Sequence, residues 1–241
     1  MKPNILKISV ICAALAAASS FVSCSGGSSN GSKNGDMQQN DSLKTALEME
    51  RQKMEEPMFD IVTNMGTMRI KLYSKTPKHR ENFVKLVAEH YYDSLLFHRV
   101  IDGFMIQAGD PYTRDTSKAS LYGQGGPDYT IPAEFVNEYW HKKGAIAAAR
   151  KGDMANPKKA SSGSQFYIVQ DENNCLHLDG QYSIFGETIE GLDVIDKIAK
   201  VPTDRYDRPL EDVRIITIKP VEVQIPDVTT EADSTDTASQ E

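Results

Sequence analysis

The sequence predicts a mainly β protein, folded as an antiparallel barrel or sandwich. Three observations predict it. Short runs alternating with a period of two recur between Phe59 and Ile218, only two stretches in that span carry helical spacing, and strands and helices never alternate in the order that a parallel sheet requires. With 39% hydrophobic residues, a chain of 241 can bury a sizeable core.

The two ends read differently from the body. Residues 1–23 carry Lys2 and Lys7 ahead of the apolar run from Ile8 to Ala18, the layout of an export signal too short to span a bilayer. The run leads into Phe21-Val22-Ser23-Cys24, which resembles the lipobox of bacterial lipoproteins and makes Cys24 the expected lipidated first residue of the mature chain. Residues 24–40 are dominated by Ser, Gly, Asn and Gln and read as a flexible linker. Residues 41–56, capped at Asp41 or Ser42 and stopped by Pro57, read as a short helical spacer. At the other end, residues 223–241 read as an acidic disordered tail, with Asp227, Glu231, Asp233, Asp236 and Glu241 and no Lys or Arg. Loss of Lys2 and Lys7 with the leader leaves 25 basic residues against 34 acidic, a formal charge of −9 that argues against a nucleic-acid partner.

The body, residues 57–222, opens with Phe59–Thr63 and Thr67–Tyr73 around a turn at Asn64-Met65-Gly66, a hairpin. Thr76 is the expected N-cap of a helix with Pro77 at its first position and Phe83, Leu86 and Val87 on the buried face. Short strands are expected at Phe97–Val100, Phe104–Ala108, Ala145–Ala149, Gln165–Val169, Tyr182–Glu187 and Val213–Ile218. The second helix falls at Leu192–Lys200, apolar at Leu192, Ile195 and Ile198. Cys12 lies in the leader and Cys24 at the lipidation site, so Cys175 is the single thiol of the body and reads as a semi-buried loop residue; a disulfide framework within one chain is excluded.

Three blocks carry the chemistry. They are Phe97-His98-Arg99-Val100-Ile101-Asp102-Gly103-Phe104-Met105-Ile106-Gln107-Ala108-Gly109-Asp110, then Ser162-Gly163-Ser164-Gln165-Phe166-Tyr167-Ile168-Val169, then Leu178-Asp179-Gly180-Gln181-Tyr182-Ser183-Ile184-Phe185-Gly186. Their order and content resemble the signatures of the cyclophilins, and the resemblance runs from Met58 to Pro220. It implies a closed eight-stranded antiparallel barrel capped by two helices, and the activity of a peptidyl-prolyl cis/trans isomerase.

That reaction suits these residue types. Resonance gives an Xaa-Pro bond a rotation barrier of about 18–20 kcal/mol, yet no bond has to break. A catalyst needs no cofactor or metal, only an apolar seat for the ring and polar groups that favour the twisted amide. Arg99 is the expected catalytic residue, because a guanidinium stays charged and offers a rigid fork of donors. By resemblance Phe104 and Met105 line the seat, and Ala149 and Arg150 contact substrate through a small-residue strand end, for which Met154-Ala155-Asn156 is a competing match. Gln107 shares a strand face with Met105 and can bond the substrate backbone. Alternation also puts Gln165 and Tyr167 on one face and Phe166 in the core, with Tyr167 standing where the family usually has Phe and its hydroxyl requiring a partner. His177, Leu178 and Tyr182 form the expected rim; His177 replaces a Trp of the best-known eukaryotic members, which by resemblance implies weak cyclosporin binding. His98 reads as a satisfied structural group. Lys151, Lys158 and Lys159 form a basic cluster expected to favour acidic segments near the proline.

The expected function is isomerisation of prolines in unfolded or loop segments of exported proteins, by an enzyme lipid-anchored at a bacterial envelope and facing the periplasm or the cell surface. A non-catalytic polypeptide-binding or chaperone module of the same fold is the alternative, and the presence of Arg99 is what weighs against it.

Overall fold

The structure, a computed structural model of the chain, describes residues 56–221. The leader, Cys24, the linker, the acidic tail and all of the helical spacer except Glu56 lie outside the described residues. In chain order the elements are β1 (Met58–Thr63), β2 (Gly66–Leu72), α1 (Pro77–Ala88), β3 (Arg99–Ile101), β4 (Met105–Ala108), β5 (Thr130–Ile131), β6 (Ala145–Ala148), β7 (Ser161–Ser162), β8 (Phe166–Val169), β9 (Ile184–Glu190), α2 (Leu192–Ala199) and β10 (Ile215–Pro220). Eight strands form one antiparallel sheet in the order β10-β1-β2-β9-β6-β8-β4-β3, and β5 and β7 form a separate ribbon that the sequence pattern did not reveal. Strands of two residues are too short to carry a period.

The sheet is an open half-barrel, not the closed barrel that was expected. Its edge strands β3 and β10 do not pair as strands; the chain just before each of them meets at a single bridge, Leu96 to Arg214. The cause lies in β3, which is three residues long and whose Val100 N–H donates to the carbonyl of Asp207, a loop residue, at 2.7 Å.

Period-two alternation sorts the side chains of the central strands into two layers. Ile106, Ala108, Ile146, Ala148, Phe166 and Ile168 join the main core beneath the helices. Met105, Ala145, Ala147, Tyr167 and Val169 join a second cluster on the other face. Phe83 of α1 sits at the centre of the first, with its ring 5.0–6.0 Å from those of Phe59, Tyr92, Phe166 and Phe185.

Helix α1 begins where Pro77 predicts, but Thr76 does not cap it: its hydroxyl is buried without a partner. The Glu134 carboxylate takes that place, accepting from the backbone N–H groups of Lys78 and His79, both at 3.1 Å. An anion at a helix start meets both the free donors and the positive end of the dipole. In α2 the buried face is Val194, Ile195, Ile198 and Ala199, while Leu192 at the first turn is 38% exposed.

His98 departs from expectation too. It is buried, and neither ring nitrogen has a hydrogen-bond partner. Burial lowers its pKa from 6.5 to about 4, against the opposing pull of Asp110. A depressed histidine stabilises the fold above its unfolded pKa and loses that contribution as pH falls through the folded value. Between pH 6.5 and about 4 the protein should therefore lose stability, roughly 3 kcal/mol of it through His98. Urea unfolding across that range, with His98→Gln showing a flatter profile, checks this; parallel profiles would contradict it.

Candidate active site

Four strands place one residue each along a transverse row. Antiparallel register sets Arg99 opposite Gln107, Gln107 opposite Tyr167, and Tyr167 opposite Ala147. One step along, Met105 lies opposite Ile101 and Val169. Phe104 enters from the β3–β4 turn, which is fixed by Phe104 N–H donating to the Ile101 carbonyl at 3.1 Å. The end of β4 lies so close to the start of β8 that a Cβ on Gly109, whose φ is +94°, would lie 2.2 Å from the Ser164 carbonyl oxygen; only glycine fits there.

The result is a shallow cleft of about 120 Å³ lined by Arg99, Phe104, Met105, Gln107, Ala149, Arg150, Tyr167, Leu178 and Tyr182. Nine of the sequence-predicted residues thus meet around one space. Gln165 and His177 do not line it. Gln165 stands behind Gln107, accepting from its Nε2 at 3.0 Å while donating to the carbonyls of Gly123 (3.1 Å) and Gly125 (2.7 Å). His177 is on the exposed outer side, its ring stacked 6.3 Å from Phe104.

Electrostatically the cleft has one half-exposed cation at its mouth. The Arg99 side chain is 42% exposed, and its ion-pair partner among the described residues, Asp207, is 3.7 Å from Nε. Arg150, by contrast, is tied down: Nε donates to the Gln181 carbonyl at 2.9 Å, Nη1 to the Lys151 carbonyl at 3.0 Å and to Asp153 at 2.5 Å, and its guanidinium lies 4.4 Å over the Tyr182 ring. It braces the rim. Of the basic cluster, Lys159 is held by Gln181 and Asp153, whereas Lys151 lines a wider groove beside the cleft that also contains Gln107, Gly123 and Gln165.

Sequence reasoning missed the partner of the Tyr167 hydroxyl. It is His141, 2.8 Å away through Nε2, and His141 in turn meets Asp179 through Nδ1 at 2.6 Å. The one available signal was Tyr167 itself, since a buried hydroxyl demands a partner, but nothing local points to a residue 26 positions earlier. Burial raises the Tyr167 phenol well above its ordinary value and lowers His141, the latter opposed by Asp179.

Two nucleophile candidates are ruled out by access. Ser161, His79 and Glu134 are linked in the order of a hydrolytic triad, with His79 2.9 Å from the Ser161 hydroxyl and 2.6 Å from Glu134, but Ser161 is 1% exposed. Cys175 is buried and its thiol is pushed up to about 12 by burial, with Asp171 and Asp179 adding to the effect. Mass-resolved alkylation at pH 8 should leave Cys175 unmodified in the native protein and label it on unfolding; native labelling would contradict that burial.

The open antiparallel half-barrel thus carries a cleft that offers aromatic and thioether surface beside a half-exposed guanidinium. Comparison with known proteins gives the family. Residues 58–220 match the model for "Cyclophilin type peptidyl-prolyl cis-trans isomerase/CLD", and the chain belongs to that family. Its enzyme class is accordingly peptidyl-prolyl isomerase. The chain is 37% identical over 170 residues to a peptidyl-prolyl cis-trans isomerase of Acinetobacter baylyi, covering 67% of this chain and 84% of that protein. It is 39% identical to the isomerase CYP71 of Arabidopsis thaliana over 65% of this chain, but spans only 23% of that much longer protein. Among solved structures, a cyclophilin-type isomerase of Cryptosporidium parvum superposes with a TM-score of 0.61 at 30% identity, covering 70% of this chain and 99% of the other; it has also been crystallised in the presence of the dipeptide Ala-Pro.

Proposed function

We propose that the protein catalyses cis/trans rotation of Xaa-Pro bonds in polypeptides, without covalent chemistry, and that Arg99 is its catalytic residue. The observation that carries this reading is the row in which Arg99 faces Gln107 and Gln107 in turn faces Tyr167, at the mouth of a cleft floored by Met105. The proline ring sits against Phe104, Met105, Tyr167 and Leu178. Gln107 commits one amide hydrogen to Gln165 and has its other polar atoms for the substrate backbone. As the amide twists, conjugation is lost and the prolyl nitrogen gains a lone pair able to accept a hydrogen bond. A donor aimed there is stronger in the transition state than in either ground state, which is the condition for acceleration. Arg99 is suited to it because its ion-pair contact among the described residues, to Asp207, is long and half-exposed, leaving the fork of Nη donors to the substrate.

The substrates we propose are proline-bearing unfolded or loop segments, with Lys151 beside the groove favouring an acidic residue near the proline. The Ala-Pro dipeptide used with the Cryptosporidium parvum relative agrees with a proline ligand. The absence of Trp at His177 supports weak cyclosporin binding. We further propose that the chain is exported, cleaved before Cys24 and lipid-anchored at a bacterial envelope, where it assists folding of exported proteins; the support is the leader and the sequence around Cys24.

In a proline-peptide exchange assay, Arg99→Ala should lower kcat/KM by about 10²–10³ with the fold retained by circular dichroism, the loss typical of removing one transition-state donor. Arg99→Lys should recover only part of it, since a point charge lacks the fork. Unchanged turnover in Arg99→Ala would favour a role confined to binding. For the anchor, detergent phase partitioning of cells expressing the full chain should find the protein in the detergent phase and the Cys24→Ser variant out of it; identical partitioning would remove the lipid anchor from the proposal.

A further inference from the structure

Tyr167 lines the cleft, yet its hydroxyl is engaged behind it. The oxygen lies 2.8 Å from Nε2 of His141, a fully buried residue that does not line the cleft. Asp179 accepts twice from His141 through the same carboxylate oxygen, from the backbone N–H at 2.8 Å and from ring Nδ1 at 2.6 Å. A carboxylate can only accept, so Nδ1 carries the ring proton. In the neutral ring Nε2 is then an acceptor, and the Tyr167 O–H donates to it. The His141 and Tyr167 rings are nearly parallel, 6° between planes, and Tyr182 of the rim stands edge-on to both, 6.4 and 5.8 Å away. Asp179 and Tyr182 belong to the segment that follows Leu178, so one chain of bonds joins the cleft floor on β8 to the rim.

We propose that His141 and Asp179 are positioning residues for the isomerase: they hold the Tyr167 hydroxyl out of the proline seat, so that the seat presents an aryl ring, and they fasten the rim segment 178–182 to the floor. This rests on the activity proposed above. A phenol turned into the seat would carry water or an unmet donor against the proline ring, whereas one bonded to His141 behaves toward substrate as an apolar ring with its polar end satisfied. His141 earns no place in the chemistry itself, since it touches neither substrate nor the rotating bond.

The test compares the effect of His141→Leu in two backgrounds of the full-length chain, one with Tyr167 and one with Tyr167→Phe, by proline-peptide exchange kinetics. With Tyr167 present, the buried hydroxyl loses its acceptor, and KM should rise about tenfold with kcat changed less than about twofold. With Phe in its place there is no hydroxyl to hold, and the same substitution should move KM by less than about twofold. An equal rise of KM in both backgrounds, or none in either, overturns the proposal. Long-range ¹⁵N–¹H spectra of the wild-type protein supply a readout independent of turnover and of whether the variant folds. An Nδ1–H tautomer for His141 is expected, and an Nε2–H tautomer in an active wild-type protein overturns this role alone. A wild-type protein without exchange activity overturns the proposed activity and this role together.

Discussion

Strand β8 has to hide both of its faces, and the rest of the site follows from that constraint. Phe166, Tyr167, Ile168 and Val169 are all buried. Because successive side chains point to opposite sides, Phe166 and Ile168 must be covered by the helical layer around Phe83, while Tyr167 and Val169 must be covered by something else. That second cover is built from loops, namely Phe104 in the β3–β4 turn, Leu178 and Tyr182 in the rim, and Tyr139. Loops seal an apolar surface less completely than a packed helix does, and the cleft is the gap they leave. The binding surface is thus the incompletely covered side of the same strand whose other side anchors the core.

Rigidity in the site comes from polar groups satisfying one another behind its walls. Gln165 holds Gln107 and two glycine carbonyls, Asp153 and the Gln181 carbonyl hold Arg150, and Asp179 with His141 holds Tyr167. Buried or half-buried polar side chains made in such sets are costly to disrupt singly, because each leaves another unpaired. Arg99 stands apart with its long, half-exposed contact to Asp207, and a group meant for a transient partner is best left loosely held.

Most of the architecture was legible in the residues because hairpins, helices and strand faces are written in local periodicity. The Phe59–Tyr73 hairpin, the start of α1 at Pro77 and the opposite facing of Phe166 and Tyr167 were all recovered from spacing alone. The grouping of Arg99, Phe104, Met105 and Gln107 came from the resemblance and not from periodicity, which alone would have put Phe104 and Met105 in the core; the β3–β4 register, Arg99 opposite Gln107 and Ile101 opposite Met105, is what brings them together. What escaped was set by distant contacts. Glu134 displaces Thr76 as the helix cap from 58 residues further along, His98 ends up buried without partners, and Gln165 turns out to brace the cleft instead of lining it. The closed barrel failed for the same reason, because closure depends on what the far edge of a three-residue strand meets.

That unclosed edge ties the chemistry to the periphery of the molecule. Asp207, in the left-handed region at φ 61°, accepts the Val100 N–H that a neighbouring strand would otherwise have taken, and the same residue's carboxylate is the ion-pair contact of Arg99. One surface residue therefore both seals the seam of the sheet and tethers the cation next to it. The segment around Asp207 acts as a latch, and substitutions there will be felt at the mouth of the cleft without touching any residue that lines it.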